Sequence, residues 1–153
     1  MHAFPHRYQV KGAGRVTGDV ELTAEWLPTL QSASPAEFDG PGDRWSPETL
    51  LVGAVADCFI LTFRAIAAAS RLSWISLDCD VTGTLDRVAR VTQFTHFDVT
   101  ARLVAPAGVD ADEARRALEK AERNCLISSS LTASIALEVT VRIAEPEGLN
   151  VPA

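Results

Sequence analysis

An apolar segment at residues 50–69 constrains the fold of this chain more than any other feature. It follows Ser46, Pro47 and Glu48: a serine suited to a helix N-cap, a proline suited to the first helical position and a carboxylate in the first turn. This start predicts a helix that runs to about Ser70. Because apolar residues occur on nearly every side of it, we expect a core helix at the centre of the structure or at a subunit interface.

Alternating patterns predict strands on both sides of this helix. Four segments alternate between apolar and polar residues, the period of a half-buried strand: residues 15–26, 75–85, 97–103 and 135–143. We expect the middle two to form an antiparallel hairpin around a turn at residues 87–90. A further short strand is expected at residues 27–31, and a loop over residues 32–45.

A second helix is predicted after the hairpin. Asp110 suits its N-cap and Glu113 its third position, as in a capping box. Its apolar stripe is formed by Ala114, Ala117, Leu118 and Ala121, and Cys125 is the next position on the same stripe. The order of strands and helices indicates an α+β domain, and the length suits a single domain over residues 1–153. The tail at residues 145–148 is expected to be frayed.

Charge and composition exclude several classes of partner. The formal net charge is −6 and the pI is about 5.0, with no run of lysine or arginine, which argues against a nucleic-acid partner. Asp57 and Arg64 interrupt the apolar segment, which argues against a membrane span. The first residues contain no apolar stretch typical of a signal peptide, so we expect a cytoplasmic protein.

The three cysteines are far apart in sequence, at positions 58, 79 and 125. An odd number without a secretion signal does not indicate a disulfide scaffold, and no Cys-x-x-Cys or Cys/His cluster indicates a metal site. No cofactor is expected. Cys79 lies on the apolar face of a predicted strand and is interpreted as structural. Cys58 and Cys125 could be buried structural thiols or reactive ones.

Residues 46–58 resemble a segment of the OsmC/Ohr family of thiol peroxidases. In that family Asn/Ser-Pro-Glu opens a central helix, which carries the peroxidatic cysteine ten residues after the glutamate, as Cys58 follows Glu48 here. Cys125 corresponds to the family's resolving cysteine, and residues 37–42 resemble its glycine-rich loop. The similarity extends over residues 15–141. It implies an OsmC-like α+β fold with antiparallel sheets around a long buried central helix, and an intertwined homodimer with active sites at the interface.

The resemblance also implies a function, the reduction of organic hydroperoxides, with inorganic ones left open as further substrates. Cys58 would attack the peroxide and Cys125 would then form a disulfide with it, which an external dithiol, for example a lipoyl-type one, would reduce. An arginine oriented by Glu48 would hold the Cys58 thiolate. Arg15 is the favoured arginine and Arg44 its rival. The apolar residues around Cys58, namely Phe59, Leu61 and Phe63, would suit bulky organic peroxides.

Two features of the sequence qualify this resemblance. The family often continues after its second cysteine with Pro-Val-Ser, whereas this chain has Leu126, Ile127 and Ser128. Ten residues of helix also span about 15 Å, so Glu48 would have to serve Cys58 of a second subunit. Two alternatives stay open: a non-catalytic OsmC-like protein that binds small molecules or takes part in stress responses, and a dimer that binds a metal or ligand through its cysteines.

Overall fold

The computed structural model describes residues 2–145. The contacts divide the chain into two compact units, Met1–Leu51 and Val52–Ala153, which are described here one at a time. The single domain expected for residues 1–153 stays a prediction. Most of the tail predicted to be frayed, residues 146–148, lies outside the described residues.

The first unit contains a small antiparallel sheet in the order β1-β2-β3. Its strands are β1 (Lys11–Ala13), β2 (Val20–Thr23) and β3 (Leu30–Ser32), and a single 3-10 turn follows at Ala36–Phe38. The prediction of one strand over residues 15–26 is wrong in its first half, because residues 14–19 connect β1 to β2. Gly18 lies there at φ +92°, a left-handed conformation that glycine adopts readily and a strand does not contain.

The long apolar helix, α1, spans Pro47–Ser70, as predicted. Its start is fixed by a reciprocal cap: Ser46 Oγ accepts a hydrogen bond from Thr49 N at 3.1 Å, and Ser46 N donates to Thr49 Oγ1 at 2.8 Å. The helix ends at Arg71, which has φ 57°.

Helix α1 is buried over a smaller part of its surface than its sequence predicts. One stripe is fully buried within the described chain, formed by Val55, Phe59, Phe63 and Ala67. These residues are four apart, so they share one side of the helix. Leu61, on another side, is 48% exposed. The helix is therefore a core helix along one stripe only.

The second unit contains the rest of α1, a three-stranded sheet and a second helix. The sheet has the order β4-β5-β6, with strands β4 (Ser76–Val88), β5 (Val91–Ala105) and β6 (Ser134–Ile143). Strands β4 and β5 form the predicted antiparallel hairpin, which turns at Ala89 and Arg90, both at positive φ.

Strands β5 and β6 pair in parallel, so this sheet is mixed and not wholly antiparallel as expected. The helix between them, α2 (Ala111–Asn124), accounts for the difference. A parallel pair needs a long crossover connection, and α2 supplies it. As predicted, Asp110 caps this helix, since its side chain accepts hydrogen bonds from the N–H groups of Asp112 and Glu113.

The core of the second unit lies between its sheet and the two helices. Fully or almost fully buried side chains of α1, β5 and α2 form one cluster, which includes Phe59, Phe63, Leu103 and Leu118. Helix α1 has the length and mean hydropathy, 1.9 over an 18-residue window, of a membrane span. Core helices share these properties, and the buried stripe of α1 packs in this cluster.

Candidate active site

Helix α1 positions Cys58 at the edge of its buried stripe. The next residue, Phe59, is buried in the core, and adjacent helical side chains point about 100° apart, so Cys58 is only partly buried. Thr62 lies one turn further along the same side of the helix. Its hydroxyl oxygen is 3.9 Å from Cys58 Sγ. Cys58 is thus partly exposed, and its sulfur lies beside a hydroxyl group.

The end of α2 positions Cys125. This residue follows the apolar stripe of the helix, as the sequence pattern predicts, and is fully buried. Its N–H donates to the carbonyl of Glu122 at 3.1 Å. The side chains of Cys58 and Cys125 are neighbours, and each shifts the pKa of the other. The fold therefore brings together two cysteines that are far apart in sequence, and we call them the cysteine pair.

The segment that follows Cys125 supplies further donors to Cys58. The backbone N–H groups of Ile127 and Leu126 both lower the pKa of Cys58. These are the residues at which the sequence departs from the Pro-Val-Ser pattern. A proline at position 126 would have no N–H to donate, so the departure adds a donor to the site.

Hydrogen bonds set the ionisation of the cysteine pair. Burial by itself raises the pKa of Cys58, but donation from Ile127 N–H, the Cys125 thiol, the Thr62 hydroxyl and Leu126 N–H outweighs it, so the pKa of Cys58 is lowered. Burial raises the pKa of Cys125; contacts with Ser128 oppose this, and the neighbouring Cys58 adds to it. Cys58 therefore ionises first, and Cys125 stays a thiol that donates to it.

Cys79, the third cysteine, has a different environment. It is partly buried in β4 and packs against the core cluster. Burial, followed by the negative charge of Asp80 and the nearby Cys125, raises the pKa of Cys79 to about 11, and Arg102 opposes the shift. Cys79 is consequently a protonated thiol at neutral pH, which agrees with the structural role expected from its strand position.

Glu48 and the two candidate arginines belong to the first unit. Glu48 is in the first turn of α1, and its Oε2 atom is buried without a hydrogen-bond partner among residues 2–145. Arg15 is exposed in the connection between β1 and β2, so its predicted place on a strand is wrong. Arg44 Nε donates to Asp19 Oδ2 at 2.9 Å, and Arg44 Nη1 lies 3.1 Å from Asp43 Oδ2. Within this unit, the described residues include no ion pair between Glu48 and either arginine.

A groove of about 510 Å³ lies between α1 and α2 in the second unit. Thr62, which contacts Cys58, is one of its lining residues. Apolar and charged side chains line it together, among them Ile66, Ala117, Arg116 and Lys120. The expectation that Phe59 and Phe63 surround a substrate is wrong, because both are buried in the core. The apolar surface near Cys58 is instead the wall of this groove.

Sequence reasoning missed Thr62 and the two N–H groups. Thr62 had a signal, since it lies four residues after Cys58 on a predicted helix. The N–H groups had none, because every residue except proline has one. Among the described residues 2–145, no group of three or more His, Cys, Asp or Glu side chains could hold a metal ion.

A family model described as OsmC-like protein matches residues 40–140. The chain belongs to the OsmC-like family. The matched region contains α1, β4, β5, α2, the larger part of β6 and both members of the cysteine pair. The uncharacterized protein YmaD of Bacillus subtilis (strain 168) is 29% identical over 114 residues, which cover 71% of this chain and 75% of that protein.

Solved OsmC-like structures share this fold at low identity. An OsmC-like protein of unknown function from Vibrio cholerae matches with a TM-score of 0.81 at 15% identity, over 89% of this chain and 100% of that one. An organic hydroperoxide resistance protein from Legionella pneumophila matches with a TM-score of 0.71 at 24% identity, over 91% of this chain and 98% of that one. The protein therefore has the OsmC-like α+β fold, with two sheets and a long helix.

Proposed function

We propose that this OsmC-like protein is a cysteine-based peroxidase that reduces organic hydroperoxides and serves in the response to oxidative stress. The observation that carries the proposal is the lowered pKa of Cys58, to which the neighbouring buried thiol of Cys125 contributes. A reactive thiolate beside a second thiol is the arrangement that a two-cysteine peroxidase needs. The name of the Legionella relative, an organic hydroperoxide resistance protein, supports the same substrate class.

The chemistry would proceed in three steps. The Cys58 thiolate attacks the terminal oxygen of the hydroperoxide, an S–O bond forms as the O–O bond breaks, and the leaving alkoxide takes a proton to become an alcohol. Cys125 then attacks the resulting sulfenic acid, forming a disulfide and releasing water. An external dithiol, for which a lipoyl-type molecule is one candidate, reduces this disulfide and is itself oxidised.

The groove between α1 and α2 supports an organic substrate. Its apolar side chains, such as Ile66 and Ala117, could contact the carbon skeleton of a hydroperoxide. The hydroperoxide group itself would lie near Thr62, beside Cys58. A purely inorganic peroxide would leave this apolar surface in water, so we expect organic hydroperoxides to react faster.

We further propose that the active protein is a homodimer whose sites combine residues of two subunits. The ten-residue separation between Glu48 and Cys58 supports this, as does the buried Oε2 atom of Glu48, which lacks a donor among residues 2–145. Arg15 is the preferred donor because Arg44 already pairs with Asp19 and Asp43. Such a dimer would act in the cytoplasm, without a nucleic-acid or membrane partner.

Thiol titration tests the peroxidase directly. We expect a stoichiometric dose of cumene hydroperoxide to remove two of the three thiols per chain. In Cys125→Ser, Cys58 should persist as a sulfenic acid that reacts with dimedone. Cys79→Ser is the matched control and should still form the disulfide. Thiols that stay unchanged in the folded wild-type protein would favour the alternative, a non-catalytic OsmC-like protein that binds small molecules.

Subunit mixing tests the shared site. Glu48→Ala and Cys58→Ser subunits are each expected to be inactive, but their heterodimer would contain one intact site and regain activity. A control heterodimer of Glu48→Ala with the double variant Glu48→Ala/Cys58→Ser contains no intact site. Lack of rescue in the first mixture, with subunit exchange demonstrated, would refute the shared site.

A further inference from the structure

A histidine on the outer face of the second unit's sheet joins a serine to an aspartate. His96 lies on β5, and Ser134 is the residue directly opposite it on β6. His96 Nδ1 lies 2.7 Å from Ser134 Oγ, and His96 Nε2 lies 3.1 Å from Asp98 Oδ1. A hydroxyl, an imidazole and a carboxylate linked in this order form the constellation that activates a serine nucleophile.

The fold accounts for the meeting of these three side chains. Alternate residues of a strand share a face, so His96 and Asp98 lie together on the face opposite the buried Phe97. Strand β6 begins at Ser134, and its parallel register sets that residue beside His96. The register between β4 and β5 shifts at the same point and leaves Thr95 without a cross-strand partner. Such bulges re-aim side chains and are frequent next to active sites.

The hydrogen bonds also determine where the protons lie when His96 is neutral. An ionised carboxylate only accepts, so Nε2 carries the proton that is donated to Asp98. The other ring nitrogen, Nδ1, is then an acceptor. Ser134 Oγ has a single proton, which it can donate to this Nδ1 at 2.7 Å or to the carbonyl of Thr95 at 3.3 Å, and the shorter contact is with the histidine. His96 is consequently arranged to take the proton of Ser134.

The three side chains are open to solvent. Ser134 is exposed, and the side chains of His96 and Asp98 are 35% and 59% exposed. An acyl donor and a water molecule can therefore both reach the hydroxyl group. A positioned general base contributes about 10²–10⁴-fold to a rate. Because water weakens the electrostatic part of such catalysis, we expect the lower end of this range and substrates with a good leaving group.

We propose that Ser134 is a nucleophile, activated by His96, that hydrolyses activated esters such as aryl acetates through an acyl-serine intermediate. Ser134 and His96 are the catalytic residues, and Asp98 is a positioning residue that orients the imidazole. In serine proteases the two ring nitrogens have the opposite assignments, but either tautomer provides one donor and one acceptor. This activity is separate from the proposed peroxidase, since no cysteine takes part in it.

The reaction proceeds in two stages without an oxidant or a reductant. Ser134 Oγ attacks the carbonyl carbon of the ester, a C–O bond forms, and the hydroxyl proton passes to His96 Nδ1. The bond to the leaving oxygen then breaks, and the leaving group takes this proton to become a phenol. Water attacks the acyl-serine in turn, again with His96 as the base, which releases a carboxylic acid and returns the proton to Ser134.

A fluorophosphonate probe, which phosphonylates activated serine hydroxyls with loss of fluoride, tests the nucleophile. Fragment mass spectrometry assigns the label to a single residue. We expect Ser134 to be labelled about a hundredfold faster than Ser76, which is exposed on the same face of the sheet but lies opposite Val104 and not opposite a histidine. His96→Gln should remove most of this difference, and Asp98→Asn should reduce it by a smaller factor.

Release of p-nitrophenol from p-nitrophenyl acetate measures turnover. A reactive Cys58 would also be acylated by this ester, so the assay uses Cys58→Ser as its background. In that background Ser134→Ala should lose hydrolysis, whereas Thr140→Ala, which removes a hydroxyl group from the same face of β6, should keep it. Asp98→Glu keeps a carboxylate and should restore part of the activity lost in Asp98→Asn.

Two results would overturn this proposal. One is labelling of Ser134 no faster than that of Ser76, and the other is labelling and hydrolysis that persist at the wild-type rate in His96→Gln. If His96→Gln does not fold, Asp98→Asn decides, and a wild-type rate of labelling there counts against the relay. Neither result bears on the peroxidase, which is tested by the loss of thiols after cumene hydroperoxide.

Discussion

Replacing Gly83 by alanine tests the close approach of strand β4 to helix α1, the helix that carries Cys58. A β-carbon at Gly83 would lie 2.8 Å from Phe94 Cε1, 2.9 Å from Val52 Cγ2 and 3.0 Å from Phe97 Cε1. Nonbonded carbon atoms pack best at about 3.5–4.0 Å, so each neighbour would have to move by roughly 0.5–1 Å. Val52 belongs to α1, and its displacement would be transmitted along the helix toward Cys58.

The expected cost follows from the tightness of this contact. Phe97 is fully buried and stacks with the partly buried Phe94 at a ring-centroid distance of 5.2 Å, so the Phe97 ring has little room to move. Inserting a methyl group into a well-packed core costs about 1–3 kcal/mol, and we expect Gly83→Ala to lower the free energy of unfolding by this amount. Val52→Ala removes one of the three clashing atoms, so the double variant should cost about 1 kcal/mol less than the sum of the single variants.

Urea denaturation of the three variants measures these free energies. The rate of alkylation of Cys58 by iodoacetamide, followed across a range of pH through the mass of the Cys58 peptide, reports any displacement of α1. Gly12→Ala is the matched control, because the nearest atom to its added β-carbon, Leu22 Cδ2, lies at an ordinary 3.6 Å. Wild-type stability of Gly83→Ala, or strictly additive costs in the double variant, would show that the close approach does not constrain the helix.

Three other substitutions test the cysteine pair and its supports. Thr62→Val removes a hydroxyl donor to Cys58, so the pKa of Cys58 should rise and its alkylation midpoint should move to higher pH; because the contact is long, we expect the rate at neutral pH to fall less than about threefold. Leu118→Ala leaves a cavity beneath α2 and should cost about 2–5 kcal/mol in urea denaturation. Asp110→Ala removes the cap of α2 and should cost about 1 kcal/mol by the same measurement.

Each of these has a control and a contradicting result. Thr82→Val, on the exposed side of β4, should leave the alkylation profile unchanged, and an equal shift in both threonine variants would exclude a specific contact. Leu126→Ala is the control for Leu118→Ala and should cost little stability, because the Leu126 side chain is exposed. An equally small loss of stability in Leu118→Ala would argue against the burial of Leu118. Asp110→Asn can still accept the capping hydrogen bonds. An equal loss of stability in Asp110→Asn and Asp110→Ala would therefore show that the negative charge of Asp110 matters and not its capping bonds.

The sequence predicted the elements whose ends have their own chemical signals. Ser46 and Pro47 marked the start of α1 and Asp110 that of α2, because capping depends on side chains within a few residues. The hairpin of β4 and β5 was predicted from alternation. The first unit was predicted less well, since alternation continues through the connection around Gly18 and hides the end of β1. The parallel pairing of β5 and β6 depends on the path of the chain through space, which alternation does not encode.

The sequence predicted the cysteine side chains of the candidate site but not the backbone groups near them. The resemblance of residues 46–58 to the OsmC/Ohr segment, and the place of Cys125 after the second helix, singled out Cys58 and Cys125, and the structure makes these two residues neighbours. The roles assigned to them, to Glu48 and to Arg15 stay predictions. The N–H groups of residues 126 and 127, which lower the pKa of Cys58, belong to the backbone, so local sequence could not reveal them.

The wide separation of the cysteine pair along the chain links redox state to resistance against unfolding. A disulfide between Cys58 and Cys125 would close a covalent loop of about 67 residues that contains β4, β5 and α2, and the chain-entropy relation gives about 4 kcal/mol for a loop of this size. The oxidised protein should therefore melt at a higher temperature than the reduced one, and Cys125→Ser should lose the difference while Cys79→Ser keeps it. The melting temperature would then report directly what fraction of the protein has been oxidised.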